Sequence, residues 1–306
     1  MSYQLVLDEI SGKVKYLFGT GAVADYIPAL ALVNPEKFGM AVATIDGDVF
    51  QVGDSQEGFS IQSISKLIGL TLAMSAMGES LWTRVGKMPA IRSFNTWQMT
   101  DISNCTVPAN PFINAGALVV TDCLISNYQD PKLEIVSFSR VLSGSLGVKY
   151  DPVVVASEAE TAFTNRKIAK KLKASGNIHN SIEDVLDLYF HQCSIKMSCV
   201  DLAKAFLFLA NKGAVDIQHK KILVSSPQAK QINTLMLTCG TYNGAGEFAH
   251  RIGLPSKSGV GGGIISIILG VASICVWSPE LDSCGNSVVG SEALELFTTM
   301  TGKSIF

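Results

Sequence analysis

The sequence predicts a mixed α/β fold of the α+β kind: an antiparallel sheet flanked by helices, carrying an inserted all-helical lobe. Three observations predict it. Asp46-Gly47-Asp48 is an Asp-Gly turn between the apolar runs Phe38 to Ile45 and Val49 to Val52, which is a β-hairpin signal. Gly259 to Trp277 is nineteen residues without a charge, rich in Ile and Val and broken by Gly270. Between these ends, from about residue 111 to 240, the chain is punctuated by helix start and stop signals. Strands at both termini and helices in the middle imply a discontinuous sheet lobe, residues 1–62 with 241–306, and a mainly helical lobe, residues 63–240.

Taken in order, a short helix pattern runs to about Tyr16, followed by a Gly-rich turn at Gly19 to Gly21 and the segment Ala24-Asp25-Tyr26-Ile27-Pro28. After the hairpin, Ile64, Leu67, Ile68, Thr71, Leu72 and Ser75 recur at helical spacing, so a helix is expected to begin at Ser63 and to stop at Gly78. Ala115 to Ser126 reads as another, for which Asn114 could serve as N-cap. A further helix spans Arg166 to Ser175, with Gly176 behind it. Asn180 with Glu183 opens the next, Ser198 with Asp201 opens one that stops at Gly213, and Ser226 with Pro227 opens one that stops near Gly240. The uncharged stretch matches a membrane span in length, but five of its nineteen residues are glycine. Two buried strands, Ile264 to Leu269 and Val271 to Trp277, account for it better. A last helix, Gly290 to Met300, sets Ala293, Leu294, Leu296 and Phe297 on one side.

Composition narrows the function. The 306 residues are 47 % hydrophobic and 16 % charged, enough to bury a large core and inconsistent with disorder. A net charge of −2 gives no general electrostatic reason to bind nucleic acid or an anionic membrane surface, so a small-molecule function is the default. The cysteines at 105, 123, 193, 199, 239, 275 and 284 include no C-x-x-C pair, and His179, His191, His219 and His250 lack H-x-x-x-H spacing. Neither a disulfide framework nor a metal site is expected. Met1 to Phe18 mixes Asp8, Glu9, Lys13 and Lys15 among its apolar residues, so no export signal is expected and the cytoplasm is the expected compartment.

Ser63-Ile64-Ser65-Lys66 is the single S-x-x-K of the chain. Residues three apart on a helix share a face, so Lys66 can reach the Ser63 hydroxyl, and unpaired N–H groups at a helix start favour an anion there. Lysine becomes a general base only when burial or a neighbouring cation lowers its pKa, and Ile64, Leu67 and Ile68 supply apolar surroundings. About one S-x-x-K is expected by chance in a chain of this length. The second element is Lys257-Ser258-Gly259, at the start of the Gly-rich strand. Glycines at 259, 261, 262 and 263 would let backbone N–H groups approach a substrate closely. Read singly, Glu158 beside Glu160 could be a solvated acidic stretch, and Tyr189 could be a core residue on the Val185, Leu188, Tyr189, Gln192 stripe.

An S-x-x-K at a helix start followed about two hundred residues later by K-[ST]-G on a strand is the pattern of serine enzymes with the β-lactamase/transpeptidase fold. Within that superfamily the chain resembles the serine-dependent glutaminases. The blocks that carry the resemblance are Gln62-Ser63-Ile64-Ser65-Lys66, Asn114-Ala115-Gly116-Ala117, Ser157-Glu158 with Asn165-Arg166, Leu188-Tyr189 ahead of Gln192-Cys193-Ser194-Ile195, Cys239-Gly240-Thr241-Tyr242, and Gly253-Leu254-Pro255 running into Lys257-Ser258-Gly259-Val260. They lie in matching order from Ala24 to about Gly290. The resemblance implies hydrolysis of L-glutamine to L-glutamate and ammonia, without cofactor or metal, through a γ-glutamyl ester on Ser63. It implies Ser63 as nucleophile, Lys66 as base, and the N–H groups of Ser63 and Val260 as oxyanion hole. Tyr26, Asn114, Glu158, Asn165, Tyr189 and Tyr242 would line the glutamine pocket, one of the last two relaying a proton, with Lys257, Ser258 and Gly259 in support. It further implies a homodimer or homotetramer.

A free amino acid carries an ammonium that needs a carboxylate, which Glu158 can supply, and a carboxylate that needs donors, which Asn and Tyr supply. The chain departs from the family pattern at Met88-Pro89-Ala90-Ile91-Arg92-Ser93-Phe94-Asn95, where a Pro-Ser-Gly-type turn is usual, at Lys196, where many members are acidic, and at Leu269, where proline is common. Gly302-Lys303-Ser304 mimics the end of a phosphate loop, but Phe297 takes the place of its first glycine. Two competing readings are another β-lactamase-like or peptidase-like hydrolase and a catalytically silent amino-acid-binding homologue. Retention of both Ser63 and Lys66 argues against the second.

Overall fold

A computed structural model describes residues 2–89, 95, 97–102, 105–216 and 221–306. His219 and residues 90–94 of the Met88-to-Asn95 departure lie outside the described residues. The central sheet has five antiparallel strands, β1 Gly39–Thr44, β2 Val49–Gly53, β3 Ser256–Ser258, β4 Gly263–Ile268 and β5 Ala272–Trp277, in the order β3-β4-β5-β1-β2. The hairpin of β1 and β2 and the C-terminal pair of β4 and β5 fall where expected. The two ends of the chain meet where β1 pairs with β5, in the register Gly39↔Trp277 to Thr44↔Ala272.

Every residue of β1, β4 and β5 is buried, because each face of the sheet packs against helices. Met40, Val42, Ile264, Ile274 and Val276 meet Val6, Leu7 and Ile10 of α1 (Tyr3–Lys13) and Val289, Leu294 and Phe297 of the C-terminal helix Val288–Thr301. Ala41, Ala43, Ile265, Ile267 and Cys275 face the opposite way, against Leu67, Leu70 and Met74 of α2 (Ser65–Met77) and Leu202 of the helix Cys199–Ala205. Burial on both faces removes the alternation that a half-exposed strand would show, which is why the sequence reads as an uninterrupted apolar run. Among the described residues no helix is long and apolar enough to cross a membrane.

A separate apolar cluster joins α3 (Asn114–Asn127), α4 (Phe163–Ala174) and α5 (Ile182–Cys193) through Leu118, Ile168, Leu172, Val185 and Phe190. Several helix boundaries shift; the helix expected from Arg166, for one, begins at Phe163. Ser181, not Asn180, caps α5 by accepting from Asp184 N. The helix opened by the Ser198–Asp201 capping box breaks at Phe206 and resumes at Leu207–Ala210 before Gly213. Ser63 lies in a 3-10 turn, Gln62–Ile64, immediately ahead of α2, so α2 itself begins at Ser65. Short strands also occur within residues 63–240: Lys149–Tyr150 and, from outside that range, Phe59–Ser60 flank Ile195–Met197, drawing the end of α5 toward the Ser63 turn.

Candidate active site

The Ser63 turn is fixed from both sides. Ile61 N donates to Ile195 O at 2.9 Å, and Ser60 Oγ donates to Cys193 O at 2.9 Å. Opposite, the segment after β3 lies so close that a Cβ on Gly259 would fall 2.5 Å from Ile61 O and 3.2 Å from Ser63 N. A Cβ on Gly261 would fall 2.3 Å from Ser60 O. Only glycine permits that approach, and Val260 between them lines the same cavity as Ser63. Gln62 at φ 48° and Tyr242 at φ 57° both occupy the left-handed region that most side chains avoid, so strain concentrates beside the serine.

Lys66 follows Ser63 by one turn and is buried. Its Nζ donates to Phe112 O at 3.0 Å and to Asn114 Oδ1 at 2.8 Å. Burial lowers its pKa to about 8, partly opposed by the Glu158 charge. Asn114 opens α3 but does not cap it; its side chain is the hub of the site. Oδ1 accepts from Lys66 and, at 3.3 Å, from the Tyr189 hydroxyl, while Nδ2 donates to Asn95 Oδ1 at 2.6 Å and Asn165 Oδ1 at 2.9 Å. The Ser63 hydroxyl is a hydrogen-bond partner of the Tyr242 phenol, whose pKa burial raises to about 12. Tyr242 OH also donates to Ser258 O at 3.2 Å. Tyr189, on α5, is wholly desolvated and its pKa is pushed well above the ordinary value.

Glu158 lies on the helix Pro152–Glu160, is 6 % exposed, and is not the solvated residue its neighbour Glu160 suggests. Burial raises its pKa to about 7, against lowering by the Gln62 amide and the Lys66 charge. Its Oε1 has no hydrogen-bond partner. A cavity of about 100 Å³ gathers Tyr26, Ser63, Asn114, Glu158, Asn165, Tyr189 and Val260. Tyr242 adjoins through its contact with Ser63, and Lys257 and Ser258 lie behind it, fully buried. Sequence reasoning missed Asn95 and Cys193 as lining residues, together with Gln62, Thr161 and Thr164. Gln62 and Cys193 stand inside motif blocks, which is a signal of sorts; Asn95 carries none. Among the described residues no three of His, Cys, Asp or Glu gather as a metal site requires.

A serine and lysine one turn apart at a helix entry, met by Lys-Ser-Gly at the edge of a five-stranded antiparallel sheet, are the arrangement of the β-lactamase-like fold. The comparisons specify it further. A family profile described as glutaminase matches residues 21–306. A glutaminase of Vibrio atlanticus is 51 % identical over 304 residues, covering 99 % of each chain, and one of Ralstonia nicotianae is 49 % identical over 306, covering 100 % of each. A Bacillus subtilis glutaminase, solved in covalent complex with 5-oxo-L-norleucine formed from 6-diazo-5-oxo-L-norleucine, superposes over 100 % of both chains with a TM-score of 0.89 at 31 % identity. The chain belongs to the glutaminase family, and is a hydrolase acting on amide bonds.

Proposed function

We propose that the protein hydrolyses L-glutamine to L-glutamate and ammonia by acyl transfer through Ser63. The observation that carries this reading is the two-ended cavity. A serine hydroxyl hydrogen-bonded to a phenol, one helical turn ahead of a buried lysine, lies at one end, and a buried carboxylate with an unpartnered oxygen lies at the other. Such a carboxylate suits an ammonium, which fixes the α-amino group of a free amino acid and leaves its side-chain amide toward Ser63. Asn165 Nδ2 and the Tyr26 hydroxyl offer donors for the α-carboxylate, with Asn114 and Tyr189 lining the same cavity.

Ser63 Oγ attacks the amide carbon as its proton passes to Lys66, the base that the family resemblance implies, with Tyr189 or Tyr242 relaying a proton. The negative charge that develops on the carbonyl oxygen is held by the N–H groups of Ser63 and Val260. The amide nitrogen takes the proton and leaves as ammonia, giving a γ-glutamyl-Ser63 ester. Water then attacks the ester carbon, its proton returning through the same groups, and glutamate departs. Lys66 lies 6.0 Å from the centre of the Tyr189 ring and shares Asn114 Oδ1 with its hydroxyl, and Tyr242 acts electrostatically on Tyr189, so the three can titrate as a network.

Measured ammonia release from L-glutamine by the wild type and by Ser63→Ala tests the mechanism. Loss in the variant, with an intact-mass increase on Ser63 of the wild type during turnover, is expected. Equal release by both would sink it, and acylation of Ser63 by a penicillin in preference to glutamine would favour a β-lactamase-like activity. The free, buried thiols of Cys123, Cys193, Cys199, Cys239 and Cys275 fit a reducing compartment such as the cytoplasm. The family resemblance supports a homodimer or homotetramer, which light scattering would size.

A further inference from the structure

Lys257 is 0 % exposed, and the acyl-transfer steps above leave it without a task. Its Nζ donates to Gly240 O at 3.0 Å and to Ser258 O at 2.5 Å. The same Ser258 carbonyl accepts the Tyr242 hydroxyl at 3.2 Å, and that phenol is the partner of the Ser63 hydroxyl. Gly240 O also accepts from Ser258 N at 3.2 Å, so the amine ties the end of the helix Ser226–Cys239 to β3 at the residue that supports Tyr242. The contact is tight: a Cβ on Gly240 would lie 1.7 Å from Ser256 O. The Lys257 Nζ stands 4.6 Å from the centre of the Tyr242 ring, a ring whose backbone is held in the left-handed region and needs outside support.

Resting on the acyl-transfer reading, we infer that Lys257 is a positioning residue for the reaction: it acts on Ser63 through Tyr242, by fixing the Ser258 carbonyl against which the phenol is held. The state of the amine agrees. Burial pushes it well below the ordinary lysine range, and the nearby Lys66 charge acts in the same direction. The contacts with the Tyr242 ring and, at 5.7 Å, the Phe112 ring favour an ammonium, but removing a charge from water entirely outweighs two ring faces. A neutral amine has two N–H groups, and two carbonyls take them. With Lys257 uncharged, Lys66 can accept a proton without a second ammonium beside it.

A double-mutant cycle of Lys257→Met and Tyr242→Phe in the full chain tests this. Two rates are read: ammonia release, as kcat and KM, and labelling of Ser63 by 6-diazo-5-oxo-L-norleucine, followed by intact mass. Lys257→Met is expected to lower kcat by ~10²-fold, the lower end of what a positioned proton-transfer group contributes, with KM within about threefold. On the Tyr242→Phe background the same substitution should add less than about threefold, because the group it acts through is gone. Losses that multiply, or a Lys257→Met enzyme close to wild type, overturn the inference. Where thermal unfolding shows that Met prevents folding, Lys257→Gln carries the same cycle with an uncharged NH2 in place. A wild type that releases no ammonia refutes the glutamine reading alone, and the labelling rates then decide the cycle. If Ser63 of the wild type takes no label either, the inference falls as well.

Discussion

Replacing Glu158 with Gln should weaken catalysis and strengthen the fold at the same time. The carboxyl is buried, and its pKa rises from 4.5 to about 7 because burial disfavours the ionised form. A value raised in the folded state means that the folded chain binds this proton more tightly than the unfolded one. The stabilising effect is full below about pH 4.5 and is lost as pH climbs through the folded value near 7. At ~1.4 kcal/mol per tenfold, the gap between 4.5 and about 7 makes the ionised carboxylate cost about 3 kcal/mol at pH 8, and only about 1 kcal/mol at pH 5. Gln cannot ionise, so Glu158→Gln should raise Tm at pH 8 by about 5 °C, at roughly 2 °C per kcal/mol for a chain of this size, and much less at pH 5. Catalysis should move the other way, because the substrate ammonium loses its partner. Removing one member of a buried charge pair costs about 2–5 kcal/mol, so kcat/KM at pH 8 should fall at least ~30-fold, mostly through KM. In kcat/KM the wild type should also show a second ionisation near pH 7, below that of Lys66 near 8, and the variant should show the Lys66 limb alone. Initial rates of ammonia release and thermal unfolding, in the same buffers from pH 5 to 8, measure all of this. A kcat/KM within threefold of wild type, or no Tm gain at pH 8, would refute the reasoning.

Three further outcomes follow from the geometry. Burial lowers Lys66 to about 8, so with the free amine as the proposed base kcat at saturating glutamine should rise with pH and level off above about 8; a flat profile from pH 6 to 9 removes Lys66 as the base. Gly259→Ala drives a Cβ against Ile61 O and Ser63 N, so β3 must back away from the oxyanion donors, and kcat should fall ~10²–10³-fold with a smaller change in KM. Asp122→Asn leaves Arg84 without its buried partner at 2.8 Å and weakens the carboxylate's hold on His179 N and Asn180 N. Denaturant titration should therefore show a loss of about 3 kcal/mol, with kcat per folded molecule unchanged.

Legibility in the sequence followed the range of the physics. The Asp46-Gly47 hairpin, the Ser198–Asp201 capping box and the end of α2 at Gly78 depend on neighbours a few residues away, and each lies within a residue or two of its expected place. The break at Phe206 was not legible, because Leu207 to Ala210 keep a helical pattern while packing turns the chain. Ser63 and Lys66 announced themselves by spacing. Asn95 did not: it reaches the site through one hydrogen bond to Asn114 across nineteen residues of chain, and no local pattern records such a contact.

By itself the sequence determined the pairing of a serine with a lysine one turn on, the glycines that let a strand approach them, and the two uncharged strands, because backbone freedom and hydrophobic burial are written into residue type. The tertiary structure decided which oxygen meets which donor. It turned Asn114 from a plausible cap into the hub that holds Lys66, set Tyr242 rather than another group against the Ser63 hydroxyl, and removed Glu158 from water. Those roles depend on burial and on angles between segments far apart in the chain, from 48 residues for Lys66 and Asn114 upward. Desolvation, which moves Lys66 down to about 8 and Glu158 up to about 7, belongs to the assembled site and to no stretch of sequence.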